Sequence, residues 1–286
     1  LLKNFGTRQS KGFGNFFPVE KYDFLNTQSI LPYYFDYDKE KLEYYNQYDK
    51  IKSYSLFQVI NMFYNTLRSG INHRIYFKSF MWAYAKSKGE HWDKKTIKNR
   101  YLSTIQNQEI EKWKNKSKEF RNNPSNFPLG FNDKKNNNAE RHLWRDLLGL
   151  SSFEKAQAND WKLKKEHIKE EINRFKSPLI FKPFQVGKNK YRVFFGVNPA
   201  IKEQFKKGSK KNSESEILGE EFNIKYRNNG GLKLKYLKTF DYDNFLKFAI
   251  NTYNKQWVEK KFHNKNEFKI IDAIYSQLKT QLKNEK

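Results

Sequence analysis

The chain has 286 residues, enough for one elaborated domain or two modest ones. Lysine and arginine number 56 against 31 acidic residues, and the formal net charge of +25 attracts polyanions, nucleic acid above all, and repels other basic surfaces. With no cysteine there is no disulfide framework, thiolate zinc site or cysteine nucleophile, which suits a reducing cytoplasm, and no apolar run or signal peptide points to a membrane.

Aromatic residues make up 17% of the chain, with 26 Phe and 18 Tyr. A disordered basic tail is poor in rings, so this composition predicts a folded chain that builds an aromatic core and spares some rings for base stacking. Most of the phenylalanines belong in that core.

In chain order, residues 1–20 read as a glycine-rich loop feeding an extended Phe16-Phe17-Pro18 strand. Helical spacing begins after Ser53, with one stripe at Phe57, Ile60, Phe63, Tyr64 and Leu67 and another at Ile75, Phe80, Met81 and Tyr84. Asp93 can cap a third helix carrying Ile97, Tyr101, Leu102 and Ile105. Residues 121–138, rich in Asn, Pro, Lys and Gly, read as a long loop, followed by a helix over about 139–148. Pro178–Pro183 and Tyr191–Val197 flank Gly187-Lys-Asn, a hairpin signal. Residues 206–216 look like a linker. Two helices then close the chain, one bearing Phe245, Phe248, Ala249, Tyr253 and Trp257, the other Ile271, Ile274, Tyr275, Leu278 and Leu282.

The strongest local signal is Asn4-Phe-Gly-Thr-Arg-Gln-Ser-Lys-Gly-Phe-Gly14. Gly6, Gly12 and Gly14 let the backbone approach a phosphate chain, Arg8 and Lys11 supply charge, Thr7, Gln9 and Ser10 supply neutral donors, and Phe13 stands between the last two glycines. The spacing fits neither the Walker loop nor the dinucleotide fingerprint. A glycine-rich turn between strands, with incidental charges, accounts for the same residues.

The segment Gly6-Thr-Arg-Gln-Ser-Lys-Gly-Phe-Gly14 resembles the glycine-rich loop of the RAMP superfamily, the RNA-binding backbone proteins of CRISPR effector complexes. Arg174-Phe-Lys-Ser-Pro-Leu-Ile-Phe-Lys-Pro183, followed by Tyr191-Arg-Val-Phe-Phe, is similar to the Arg…Ser-Pro-Leu strand and its partner strand in type III RAMP subunits. The resemblance implies an α+β chain with a ferredoxin-like, RNA-recognition-type core and a large helical insertion. With the helical spacing and hairpin signal read above, the resemblance divides the chain into 1–40 for the loop and strand, 41–170 for the helical insertion, and 171–286 for a second small sheet with C-terminal helices. It implies guide or guide–target RNA held by its backbone, with Arg174 and Lys176 among the contacts, and other effector subunits as neighbours. In that fold the glycine loop lies late in a βαββαβ unit, whereas here it opens the chain. The strands before it are therefore expected from a missing segment or a separate polypeptide, and no catalytic residue of the family carries over.

Two further basic clusters are candidates for RNA contact. Arg68, His73 and Arg74 surround a glycine-bearing turn, which a solvated helix junction explains more readily. Arg141, His142 and Arg145 are expected on one helical face. The five histidines have no zinc-ligand spacing, so no metal or cofactor is expected. One rival reading is a metal-independent ribonuclease that processes guide precursor RNA through His73 or His142. Another is a basic DNA-binding scaffold.

Overall fold

The computed structural model describes residues 24–40, 43–45, 51–72, 74–94, 96–97, 141–151, 153–156, 161–167, 174–175, 177–199, 201–202, 219–226 and 229–284. Its elements run α1 (Phe24–Ile30), β1 (Tyr33–Asp38), β2 (Glu43–Tyr45), β3 (Ile51–Ser53), α2 (Leu56–Arg68), α3 (Phe80–Ser87), β4 (Leu150–Ser151), β5 (Phe153–Ala156) and β6 (Trp161–His167). They continue with β7 (Arg174–Phe175), β8 (Leu179–Gly187), β9 (Lys190–Val197), β10 (Glu221–Tyr226), β11 (Asn229–Lys235), α4 (Tyr242–Thr252) and α5 (Asn266–Asn284). The chain is thus α+β. It divides into two units, one of Leu1–Phe80, Pro178–Lys202 and Tyr242–Lys286, the other of Met81–Ser177 and Glu203–Asp241.

In the first unit the expected hairpin is present as β8 and β9, with Asn189 at the turn in the left-handed region (φ 59°) that Asn tolerates. β9 also pairs antiparallel with β1, giving the sheet order β1-β9-β8. Pro183 is tolerated because β8 is an edge of that sheet. The α2 stripe packs on one sheet face, where the Phe63 ring lies 4.9 Å from Phe195 and 5.5 Å from Phe35 and from Tyr275 of α5. α2 starts at a capping box in which the Ser55 hydroxyl accepts from Gln58 N–H and the Gln58 side chain accepts from Ser55 N–H. It ends at Gly70 (φ 79°), where a Cβ would meet the Phe77 carbonyl oxygen at 2.4 Å.

The outer edge of β1 is closed by side chains. Gln277 and Gln281, one turn apart on α5, accept from the backbone N–H groups of Asp36 (2.7 Å) and Tyr34 (3.1 Å) and donate to the carbonyls of the same residues. Two glutamines therefore satisfy edge groups that would otherwise invite another strand.

The second unit holds the antiparallel sheet β11-β10-β6-β5. Phe222, Ile224, Leu232 and Leu234 alternate with polar residues and are buried, so one face of the sheet is core and the other is solvated. Lys165 of β6 is buried on the core side, directly opposite Ile224, with its ammonium 2.6 Å from Asp146.

Several expected elements differ. The helix over 139–148 is absent in residues 141–148. Residues 141–143 are extended, with Leu143 N–H donating to the Lys235 carbonyl (2.9 Å) and Lys235 N–H to the Arg141 carbonyl (3.1 Å). Only the single 3-10 turn Arg145–Leu148 remains, stopped at Gly149 (φ 120°). Bonding to a distant strand takes the backbone groups that a helix would have used. The stretch 41–170, expected as a helical insertion, carries strands β2 to β6 as well as helices α2 and α3. α4 stops before Tyr253, so Trp257 lies in a separate 3-10 turn rather than on the expected helix. The glycine-rich loop, Phe16-Phe17, Tyr101, Leu102, Ile105 and the linker 206–216 lie outside the described residues.

Candidate nucleic-acid interface

The solvated face of the four-stranded sheet is built by period-two alternation. On β11 the sequence Leu232-Lys-Leu-Lys235 turns its leucines inward and leaves Lys233 and Lys235 exposed. β10 adds Glu221, Asn223 and Lys225 to the same face, and β6 adds Lys164 and Glu166. The registers place Glu221 opposite Lys235, Asn223 between Lys233 and Glu166, and Lys225 opposite Lys164. Among the described side chains, four lysines against two glutamates make this face cationic.

Ion pairs hold part of that charge. Glu166 bridges Lys164 (2.6 Å) and Lys225 (2.5 Å), and these hydrogen bonds, that of Lys164 first, hold its carboxyl below the ordinary glutamate range. Lys233 pairs with Glu221 at 3.0 Å. Asn223 Oδ1 accepts from the Gly231 N–H at 3.2 Å. An array of ammonium groups on a rigid sheet presents point charges suited to phosphates rather than a code for base edges.

Of the expected contacts, Arg141 is exposed and its carbonyl is bonded to Lys235 at the margin of this sheet. Arg145 does not share a surface with it. Its side chain is buried, with Nε donating to Asp93 Oδ2 at 3.3 Å, because the turn at 145–148 points it inward. His142 is also largely buried, its Nδ1 2.7 Å from Glu90 Oε2, an oxygen that accepts from Trp144 Nε1–H as well (2.9 Å). The three residues expected on one helical face are thus separated by an extended backbone.

In the first unit, Arg68 ends α2, half-buried. Arg74 occupies the left-handed region (φ 62°) and donates to Glu267 Oε1 (3.1 Å) and Tyr54 Oη (3.2 Å). In the second unit, Arg174 is in β7, paired with Ser151. Gly6, Thr7, Arg8, Gln9, Ser10, Lys11, Gly12, Phe13 and Gly14, together with His73 and Lys176, lie outside the described residues. Among the described residues, no group of three or more acidic or histidine side chains is placed to hold a metal ion, and no helix is long and apolar enough to cross a membrane.

The sheet lysines were not singled out by motif. The available signal was Asn228-Asn-Gly-Gly231 between Glu221-Phe-Asn-Ile-Lys-Tyr226 and Leu232-Lys-Leu-Lys235, two alternating runs around a glycine turn.

Two family models cover nearly all of the chain, the Cmr1 N-terminal domain over residues 1–71 and the Cmr1 C-terminal domain over residues 76–279. Their class is that of RAMP subunits in multisubunit CRISPR effectors, as the glycine loop and the Ser-Pro-Leu segment implied. The chain belongs to the Cmr1 family, whose members are subunits of the type III-B CRISPR Cmr complex. No curated protein and no solved structure matches it.

Proposed function

We propose that this chain is an RNA-binding, non-catalytic subunit of its effector complex that holds guide RNA, or the guide–target duplex, by phosphate and ribose. The observation that carries this reading is the lysine-bearing face of the β11-β10-β6-β5 sheet, on a chain of net charge +25. Point charges on a rigid surface accept any sequence, which is what a subunit serving many guides requires. Arg141 extends this surface. The glycine loop Gly6–Gly14, with Arg8 and Lys11, supplies a second contact in this reading, on the ferredoxin-like core that the RAMP resemblance implies.

The test is a salt titration of RNA binding to the full chain, followed by fluorescence anisotropy. Log affinity should fall with log salt at a slope near −0.7 per neutralised phosphate of a single strand, and permuting the RNA sequence should leave affinity nearly unchanged. A shallow slope with strong sequence preference refutes the reading. Duplex DNA competing as well as RNA at matched salt would favour the DNA-scaffold alternative.

One observation favours a second reading. His142 Nδ1 lies 2.7 Å from Glu90 Oε2, a carboxylate–imidazole pairing of the kind that orients a general base, on a side chain that is largely buried. RNA cleavage without divalent metal, abolished in His142→Ala, would establish the processing nuclease in place of the binder. Intact RNA after prolonged incubation, with and without magnesium, is the expected result.

A further inference from the structure

Between α4 and α5 of the first unit, residues 253–265 form a short, firmly held connector with two 3-10 turns, Lys255–Trp257 and Lys260–Phe262. Its inner side is anchored. Trp257 is buried, its Nε1–H donates to the Lys78 carbonyl at 2.8 Å, and its ring stacks on Phe80 with centroids 4.9 Å apart. His263 Nε2 lies 2.9 Å from the Val258 carbonyl and 3.0 Å from that of Lys255, so this nitrogen carries the hydrogen and cross-links the two turns. The imidazole also lies flat on Phe268, with centroids 4.2 Å apart and planes within 8°.

The outer side is cationic. Lys255, Lys260, Lys261, Lys265 and Lys269 are all exposed. Lys261 pairs with Glu259 at 2.9 Å and Lys255 with Asp272 at 3.4 Å, whereas among the described residues no carboxylate pairs with Lys260, Lys265 or Lys269. Half-buried Phe262 sits among them, with the Lys261 ammonium 5.0 Å from its ring centroid.

These lysines cluster at the N-terminal end of α5, a 19-residue helix whose dipole is positive there. The acid in its first turn, Glu267, is turned inward to Arg74 and Tyr54 and does not offset them. Cations at the positive end of a helix oppose folding, and a bound polyanion removes the conflict.

We infer that this connector is a second RNA contact, in which Lys260, Lys265 and Lys269 hold consecutive phosphates of a single strand and Phe262 offers a face on which one base stacks. Lys265, whose carbonyl accepts from Lys269 N–H at the start of α5, and Lys269 are four residues apart, about 6 Å along the axis, a step that adjacent phosphates of an extended strand can match. The anchoring by Trp257 and His263 means that little ordering is required on binding. The inference rests on the RNA-binding reading above and adds a surface that lies on the other unit from the lysine-bearing sheet.

The test uses the full chain, single-stranded RNA and two variants. The triple variant Lys260→Ala/Lys265→Ala/Lys269→Ala should flatten the log affinity against log salt slope by about 2, three phosphates at roughly 0.7 each. Its melting temperature should be equal to or above that of the parent, since like charges leave the helix start. Phe262→Ala should weaken binding with the slope unchanged, because stacking releases no counterions. Unchanged affinity and slope in the triple variant, while the parent binds RNA, overturns the inference and leaves the functional reading standing. So does a triple variant that binds RNA like the parent and loses a neighbouring effector subunit on purification, which would make the connector a protein interface. A parent chain that binds no RNA overturns the functional reading itself.

Discussion

The buried pair Lys165–Asp146 sets the orientation of the proposed RNA face, and removing one partner tests that claim. Both side chains are fully inaccessible and their charged atoms lie 2.6 Å apart. Lys165 follows Lys164, which faces solvent on the same strand, so this pair determines which lysine goes inside. Lys165→Met leaves the Asp146 carboxylate in a low-dielectric core without its counter-charge, a loss of about 3–5 kcal/mol. At roughly 3 °C per kcal/mol for a domain of this size, the melting temperature should fall by roughly 10–15 °C. Asp146→Leu should cost a similar amount by stranding the ammonium. The double variant Lys165→Met/Asp146→Leu removes both charges together and should recover most of the loss. Urea titration monitored by tryptophan fluorescence, sensitive to the buried Trp144 of the same unit, measures all four proteins. Single variants that each lose less than about 1 kcal/mol, or a double variant that loses the sum, would refute the reasoning.

Glu166→Gln removes the acid that bridges Lys164 and Lys225, so the salt slope of RNA binding should steepen by about 0.7, read by anisotropy. The Glu166 carboxyl is held below its usual range, so it remains ionised throughout neutral pH, and only pH values below the ordinary glutamate range would produce the same effect by titration. In the glycine loop, Arg8→Ala and Lys11→Ala should fold normally and flatten the slope by about 0.7 each, while Gly12→Val should lose binding even at low salt. Unchanged affinity in the charge pair, with a lowered melting temperature for Gly12→Val, would make the loop a structural turn. Gly70→Ala should destabilise the first unit by about 1–3 kcal/mol from its backbone angle alone, with the Phe77 carbonyl contact adding to that. Calorimetry checks this, and an unchanged transition would contradict the left-handed geometry.

What the sequence alone determined was whatever depends on residues close together in the chain. The stripe at Ile60, Phe63, Tyr64 and Leu67 specifies α2; Ile271, Ile274, Tyr275 and Leu278 specify α5; Gly187-Lys-Asn specifies the β8–β9 turn. The glycine loop and the Ser-Pro-Leu segment pointed to the RAMP class that the family models bear out. The tertiary structure decided the rest. Residues 141–143, helical by local pattern, become extended because their backbone bonds to Lys235, far along the chain. β6 and β10 are likewise distant in sequence, yet their pairing gathers Lys164, Lys225, Lys233 and Lys235 onto one face and sends Lys165 to Asp146 inside. Periodicity records which side of an element is apolar. Which elements meet is decided by long-range pairing and by the cost of leaving buried backbone groups and charges without partners, and neither is written in any short stretch of residues.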